Sequence, residues 1–363
     1  MKRRHFVGGM AAAATLAACA RTDQQCADGA AVSAETFEWS AVTSWPPGLP
    51  GMGVGVDHLA KRIEAASAGR LKIKIYAGGE LVPAFEVFDA VSRGTVECGH
   101  DASYYHKGKL DAAQFFTAIP FGLNYIEMNG WLYYGGGLKL WRELYEPFNI
   151  VPFPCGNTTV QMGGWFNKEI NSVNDLKGLK MRIPGLAGEV LRRAGGTPVT
   201  LPGAEIFTSL QTGAIDATEW VGPYNDVAFG LHKAARYYYY PGWQEPAPTL
   251  EFMVNKKAWN ALPADLQTIV ETCCMAINMD VVADYAHGNA QALKQLEADP
   301  NVELRRFPPD VLAHLKKITQ EVVEEWVASD PKAAKVYESW SAFRELSEPY
   351  MRISEQAFLD TRD

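Results

Sequence analysis

Two periodicities of apolar and polar residues divide this chain. Phe37 to Trp45 and Leu71-Lys-Ile-Lys-Ile-Tyr76 alternate with the period-two pattern of strands, whereas His58 to Ala68, about Pro83 to Arg93, and Leu138 to Tyr145 repeat apolar residues at helical spacing. Alternating strands and helices predict an α/β fold with a largely parallel sheet. Past the middle, Ala264 to Ala283 and Ala286 to Ala298 read as two helices or one continuous helix. Helical patterns continue at Pro309 to Val327, Lys332 to Arg344 and about Ser347 to Phe358. Terminal helices with apolar stripes either wrap a protein's lobes together or pack on a second subunit.

An internal echo organises the α/β part. Pro83-Ala-Phe-Glu86-Val-Phe88-Asp-Ala-Val91-Ser-Arg-Gly94-Thr-Val96-Glu97-Cys98 matches Pro202-Gly-Ala-Glu205-Ile-Phe207-Thr-Ser-Leu210-Gln-Thr-Gly213-Ala-Ile215-Asp216-Ala217 without a gap. Each copy reads as a helix opened by Pro, closed by Gly and followed by a strand. Two lobes on one plan follow from it. The divisions read along the chain are a leader at 1–19, a tether at 20–35, a first α/β lobe at 36–155, a second at 156–255 and a helical region at 256–363.

The N-terminus adds a location. Met1-Lys-Arg-Arg-His-Phe6 is basic and Val7 to Ala20 is apolar but short, which is the pattern of an export signal. It ends in Leu16-Ala-Ala-Cys19, similar to a bacterial lipoprotein processing site that would place lipid on Cys19 in the periplasm. Arg3-Arg4 with Phe6 also resembles a twin-arginine signal. No later apolar run reads as long enough to span a membrane. The net charge of −8, with no basic run after the leader, excludes nucleic acid as a natural partner. Six cysteines leave five if Cys19 is lipidated, and Cys98 to Cys155 is one bridge open to them. The vicinal Cys273-Cys274 pair reads as buried thiols on a helix.

Candidate chemistry gathers after the echoed strands. The first delivers Asp101, Ser103, Tyr104 and Tyr105, the second Glu219, Trp220 and Tyr224, and ligands of open α/β sheets bind at such carboxyl ends. Arg182 ends a predicted strand before Pro184-Gly185; it is placed either to grip a carboxylate with two parallel hydrogen bonds or to pair with a neighbouring acid at the surface. Glu219, a neighbouring carbonyl and Gln161 supply hard oxygens of the kind that hold sodium or calcium. Arg236 to Trp243 offers aromatics for a pocket or for the core. Gly51-Met-Gly53-Val-Gly55 falls short of a dinucleotide fingerprint, His100, Asp101 and His106 lack zinc spacing, and no nucleophile elbow occurs. Enzyme signatures are missing.

Leu81-Val-Pro83, Asp175-Leu-Lys-Gly-Leu-Lys-Met-Arg182, Gln211-Thr-Gly213-Ala-Ile-Asp216-Ala-Thr-Glu219-Trp220 and Trp259-Asn-Ala-Leu-Pro263 resemble the substrate-binding proteins of TRAP transporters. Gly156-Asn157-Thr-Thr-Val-Gln161-Met-Gly-Gly-Trp165-Phe166 with Glu219-Trp220 is similar to the branch that binds 2-oxo and 2-hydroxy monocarboxylates. That resemblance implies a two-lobed periplasmic-binding-protein-like fold with a hinge, a long spanning helix and a helical tail that swaps in a homodimer. It implies a receptor, not an enzyme, that delivers a small carboxylate to permease membrane subunits. Arg182 would bind the carboxylate, while Gln161, Glu219 and the Trp220 carbonyl would hold a sodium or calcium ion touched also by the substrate. Asn157 and Tyr104 would add hydrogen bonds, with Phe121, Trp165 and Trp243 as apolar walls. The alternatives are a receptor for dicarboxylates or sugar acids, and an exported metal-dependent enzyme acting on carbonyl acids.

Overall fold

The computed structural model describes residues 35–362. The leader, Cys19, Cys26 and nearly all of the expected tether lie outside the described residues.

Eleven strands run through the described residues: β1 Phe37–Thr43, β2 Leu71–Tyr76, β3 Cys98–Asp101, β4 Ile150–Asn157, β5 Gly164–Phe166, β6 Lys180–Arg182, β7 Thr197–Val199, β8 Ala217–Thr218, β9 Tyr237–Tyr240, β10 Thr249–Asn255 and β11 Glu303–Arg306. They form two sheets, ordered β2-β1-β3-β10-β4 and β11-β9-β5-β8-β6-β7. Read from the other end, the second sheet repeats the first: β7, β6, β8, β5 and β9 stand where β2, β1, β3, β10 and β4 stand. Pairing directions agree. In the first sheet β10 alone runs against its neighbours, and in the second β5 alone does so. The echoed segments feed equivalent strands, β3 and β8, and Gly94 and Gly213 take left-handed φ of 70° and 74° after their helices.

This symmetry corrects the contiguous division of the chain. β10, inside 156–255, returns to the first sheet, and β11, inside the expected helical region, extends the second. The chain therefore passes between sheets three times: from β4 to β5, from β9 to β10, and along the helix Ala264–Glu297. That helix is continuous over 34 residues. It is long and apolar enough by composition to cross a membrane, against the expectation that no such run follows the leader. It packs instead on β4 and on the helices Met52–Ala66 and Pro223–Phe229, with Val270, Ile277 and Tyr285 fully covered.

Helix Met52–Ala66 starts six residues before the expected His58. Within it, Gly55 lets the helix close on Val281, where a Cβ would lie 2.7 Å from the valine methyl. The first echoed helix is shorter than expected, Val87–Ser92. In the tail, helix Pro309–Ser329 packs on helix Gly185–Arg193 of the second lobe, and helix Pro331–Met351 packs on helices Tyr125–Tyr133 and Gly137–Tyr145 of the first. Phe115 stacks on Trp326 at 4.8 Å and Arg193 pairs with Glu325 at 2.6 Å. The tail thus straps the two lobes, and its last part, expected to begin anew near Ser347, continues the preceding helix.

Strand order also excludes the Cys98 to Cys155 bridge. Cys98 lies opposite Val254 and the neighbour of Cys155, Pro154, opposite Glu251, with all of β10 between them. One intervening strand alone separates the backbones by about 10 Å, beyond the roughly 7 Å that a disulfide spans. Cys98, Cys155, Cys273 and Cys274 are free and buried.

Candidate functional site

Two of the passages between sheets build the site. On the first, after β4, Asn157 folds the loop: its Nδ2 donates to Ala247 O and to Thr249 Oγ1, each at 3.1 Å, and its Oδ1 accepts from Thr159 N at 2.9 Å. The second passage, after β9, lies alongside. Gln161 N donates to Glu245 O at 3.1 Å and Gly242 N to Gln161 O at 3.0 Å. Any side chain at residue 242 would put its Cβ 2.1 Å from Gln161 O, so the close approach requires glycine. This lacing brings the Gln161 and Glu245 side chains into one buried space.

The second lobe supplies the charged groups. Arg182 ends β6 and Glu219 follows β8; these neighbouring parallel strands set the two side by side, 1% and 0% exposed. Arg182 Nη1 forms a short ion pair with Glu219 Oε1, its Nε donates to Leu201 O at 3.2 Å, and its Nη2 reaches the hydroxyl of Tyr105 at 3.4 Å. The guanidinium carbon lies 5.2 Å from the centre of the Trp220 ring. The surface-arginine alternative is therefore excluded, and the two expected roles meet in one pair: the acid beside Arg182 is the expected metal ligand Glu219.

Electrostatics mark this space. Burial pushes Glu219 up to about 7 despite Arg182. Burial, and then the nearby Glu219 charge, push Glu245 well above the usual carboxylate range, and the Tyr104 hydroxyl and Gln161 amide bear on the same carboxyl. Gln161 Oε1, Glu219 Oε2 and Glu245 Oε2 are all buried without a hydrogen-bond partner. Orphaned oxygens at such a depth are costly. Three of them, two from carboxylates, are a donor set that fits a hard cation such as sodium or calcium. The peptide between Glu219 and Val221, which carries the Trp220 carbonyl, is pinned on both sides by Glu219 N to Arg182 O at 3.3 Å and Met162 N to Val221 O at 2.9 Å.

Around this cluster, Tyr104 packs edge-on against Tyr105 at 4.8 Å and closes one wall. Phe121 stacks on Trp243 at 5.7 Å, and its N–H donates to Trp243 O at 2.9 Å. The two rings line a cavity of about 710 Å³ with Val160 and the tail residues Arg344 and Arg352; Arg182, Gln161, Glu219 and Glu245 are not part of its lining. Trp165 is not brought here. Its Nε1 donates to Asp226 at 3.0 Å and its ring stacks on Tyr238 at 4.1 Å in the second lobe's core. Asn157, expected to bond a ligand, turns its amide inward to hold the loop. Sequence reasoning missed Glu245 and the contact of Tyr105 with Arg182. The visible signal for Glu245 is an acid bracketed by Pro241, Pro246 and Pro248 beside an aromatic run.

Residues 43–330 match the family of bacterial extracellular solute-binding proteins, family 7. The chain belongs to that family. This solute-binding protein is 45% identical over 358 residues, 99% of its length and 98% of the relative's, to the monocarboxylate 2-oxoacid-binding periplasmic protein of Nostoc sp. strain PCC 7120. Its fold is similar to that of a TRAP periplasmic solute-binding protein from Pseudoalteromonas atlantica with bound sodium and pyruvate, at TM-score 0.87 and 44% identity, covering 90% of this chain and 99% of that one. It is likewise similar to a TRAP solute-binding protein from Bordetella bronchiseptica, at TM-score 0.89 and 41% identity, covering 90% and 97%. That protein is a mixed-occupancy dimer with co-purified calcium and picolinate in one site and an apo second site. The family is one of extracytoplasmic receptors rather than enzymes.

Proposed function

We propose that this solute-binding protein captures a small 2-oxo or 2-hydroxy monocarboxylate together with a sodium or calcium ion and delivers it to the membrane subunits of a TRAP permease. One observation carries this reading: Gln161, Glu219 and Glu245 each keep a buried oxygen without a hydrogen-bond partner, Gln161 and Glu245 on the two laced passages and Glu219 paired with buried Arg182. The sodium-pyruvate and calcium-picolinate relatives support it. Gln161, Glu219 and the Trp220 carbonyl hold the ion, with Glu245 beside them. Such an ion supplies the positive charge that lets buried carboxylates and an acid substrate share one space.

Arg182 supplies the fixed cation for the substrate carboxylate, and the Trp220 ring, 5.2 Å from the guanidinium carbon, adds a cation–π contact to it. Tyr104 and Tyr105 close the first-lobe side, and Phe121 with Trp243 excludes water from the substrate's apolar end. Hinge closure about the three passages buries the acid. The tail exposes Leu346, Tyr350, Ile353, Phe358 and Leu359; this apolar stripe fits a homodimer through the terminal helices, and Cys19 fits a lipid anchor in the periplasm.

Thermal unfolding of the metal-stripped protein against pyruvate, longer 2-oxo acids and lactate, each with sodium or calcium, tests the reading. An acid at about 100 times its Kd stabilises by roughly 2.7 kcal/mol. A shift that needs acid and ion together is the expected result. A shift with dicarboxylates or sugar acids alone would overturn the substrate class.

A further inference from the structure

The 3-10 turn Ser103–His106 that presents Tyr104 and Tyr105 ends in a histidine clamped by two carboxyl groups. His106 Nε2 lies 2.8 Å from Glu251 Oε1 on β10 and 3.9 Å from Asp101 Oδ2 on β3. All three side chains are at most 3% exposed. Asp101 Oδ1 accepts from the Ser44 hydroxyl and from Ala102 N, each at 2.7 Å, and Glu251 Oε1 also accepts from the Tyr145 hydroxyl at 3.3 Å. The second oxygen of each carboxyl, Asp101 Oδ2 and Glu251 Oε2, has no partner. The other titratable groups facing the cluster are His100 on β3, Tyr105 on the turn, and Asp89 and Lys109 on the outer side of His106. Lys109 is itself paired with Asp89.

Two ionised carboxylates beside a neutral imidazole would leave two negative charges in a dry interior, where unpaired charge is expensive. The turn beyond them is the first lobe's contact with the charged half of the site, through Tyr105 and Arg182, and Tyr104 also packs against Gly185. We propose that Asp101, His106 and Glu251 are positioning residues that hold the Tyr104–Tyr105 turn against the second lobe, and that they do so only while a proton is shared within their cluster. This rests on the reading of the cleft as the ligand site. Burial pushes Glu251 up to about 8 and Asp101 to about 7, and holds the His106 imidazole down to about 4, so near neutral pH a proton sits on the carboxyl pair, chiefly on Glu251, and not on the imidazole. As it leaves, the carboxylates repel across the imidazole and the His106 end of the turn yields.

The test is the pH profile of pyruvate binding with calcium, from pH 6.5 to 9, for the wild type, Glu251→Gln and Asp101→Asn. The amides mimic protonated carboxyls. Wild-type affinity is expected to fall above about pH 8 by up to tenfold per pH unit, and both variants to bind as wild type at pH 6.5 and lose less at pH 9. Glu219 and Glu245 titrate in all three proteins, so the difference between profiles is the readout. Parallel profiles would overturn the proposal. If no acid binds any of them, the function proposed above fails separately, and ligand-free unfolding reads the cluster: a steeper loss of Tm from pH 6.5 to 9 in wild type than in the variants supports it, and equal losses sink it.

Discussion

At the scale of residues, the Arg182–Glu219 pair decides most. Removing one partner strands a buried charge, so Arg182→Met is expected to cost about 3–5 kcal/mol of stability, read by urea unfolding, whereas Arg182→Met with Glu219→Leu recovers most of that loss. Neither variant should respond to acid and ion. Arg182→Lys keeps the charge but loses the forked geometry, and a Kd at least tenfold weaker is expected by calorimetry. Glu245→Gln keeps the size of the side chain and removes one of the carboxylates; calcium binding in the presence of pyruvate is expected to weaken more than sodium binding, a comparison that titration calorimetry makes directly. Arg182, Glu219 and Tyr104 could be named from sequence because each ends or follows a segment patterned as a strand, whereas Gln161, Phe121 and Trp243 rested on the family resemblance; the structure pairs Arg182 with Glu219. Trp165 was not separable from them. Along the sequence it is as close to Gln161 as a wall residue would be, and only the direction of its side chain in β5 sends it to Asp226.

At the scale of elements, the echo carried the most information, since constant spacing of Pro, Glu, Phe and Gly in both copies predicted two equivalent helix-to-strand units. What it could not carry was the exchange of β10 and β5, because strand pairing between distant segments leaves no local period. The spanning helix is tied to both lobes by one short relay: the Tyr285 hydroxyl donates to Asn225 Oδ1 at 2.6 Å, and Asn225 Nδ2 donates to Pro50 O at 2.8 Å. Tyr285→Phe removes one buried hydrogen bond and leaves Asn225 short of a donor. A loss of about 1–2 kcal/mol is expected in chemical unfolding, with faster amide exchange at both ends of the relay.

At the scale of the whole molecule, acid and base act on stability through the buried carboxyls. Glu219, Asp101, Glu251 and Asp226 all have folded-state values raised by burial, to about 7, 7, 8 and 6. A carboxyl raised in the folded state stabilises fully below its unfolded value and loses that contribution as pH climbs through the raised one. His106, lowered to about 4, acts in the opposite sense below about pH 6.5. The ligand-free protein should therefore lose Tm progressively from about pH 4.5 to about pH 8, more steeply above about pH 6.5 per carboxyl still titrating because the opposing histidine no longer contributes, as differential scanning calorimetry would record. Removing 345–363 deletes the exposed apolar stripe and should give a monomer by sedimentation while leaving the sheets intact. The three passages between sheets have a further consequence for ancestry. A single cut in the gene between β4 and β11 always leaves strands of at least one sheet on both sides, so a half-gene exchanged with a relative would arrive with foreign strands inside its sheets. A chimera joined at such a cut is therefore expected to lose a whole sheet's packing, whereas point substitutions along the passages leave both sheets intact.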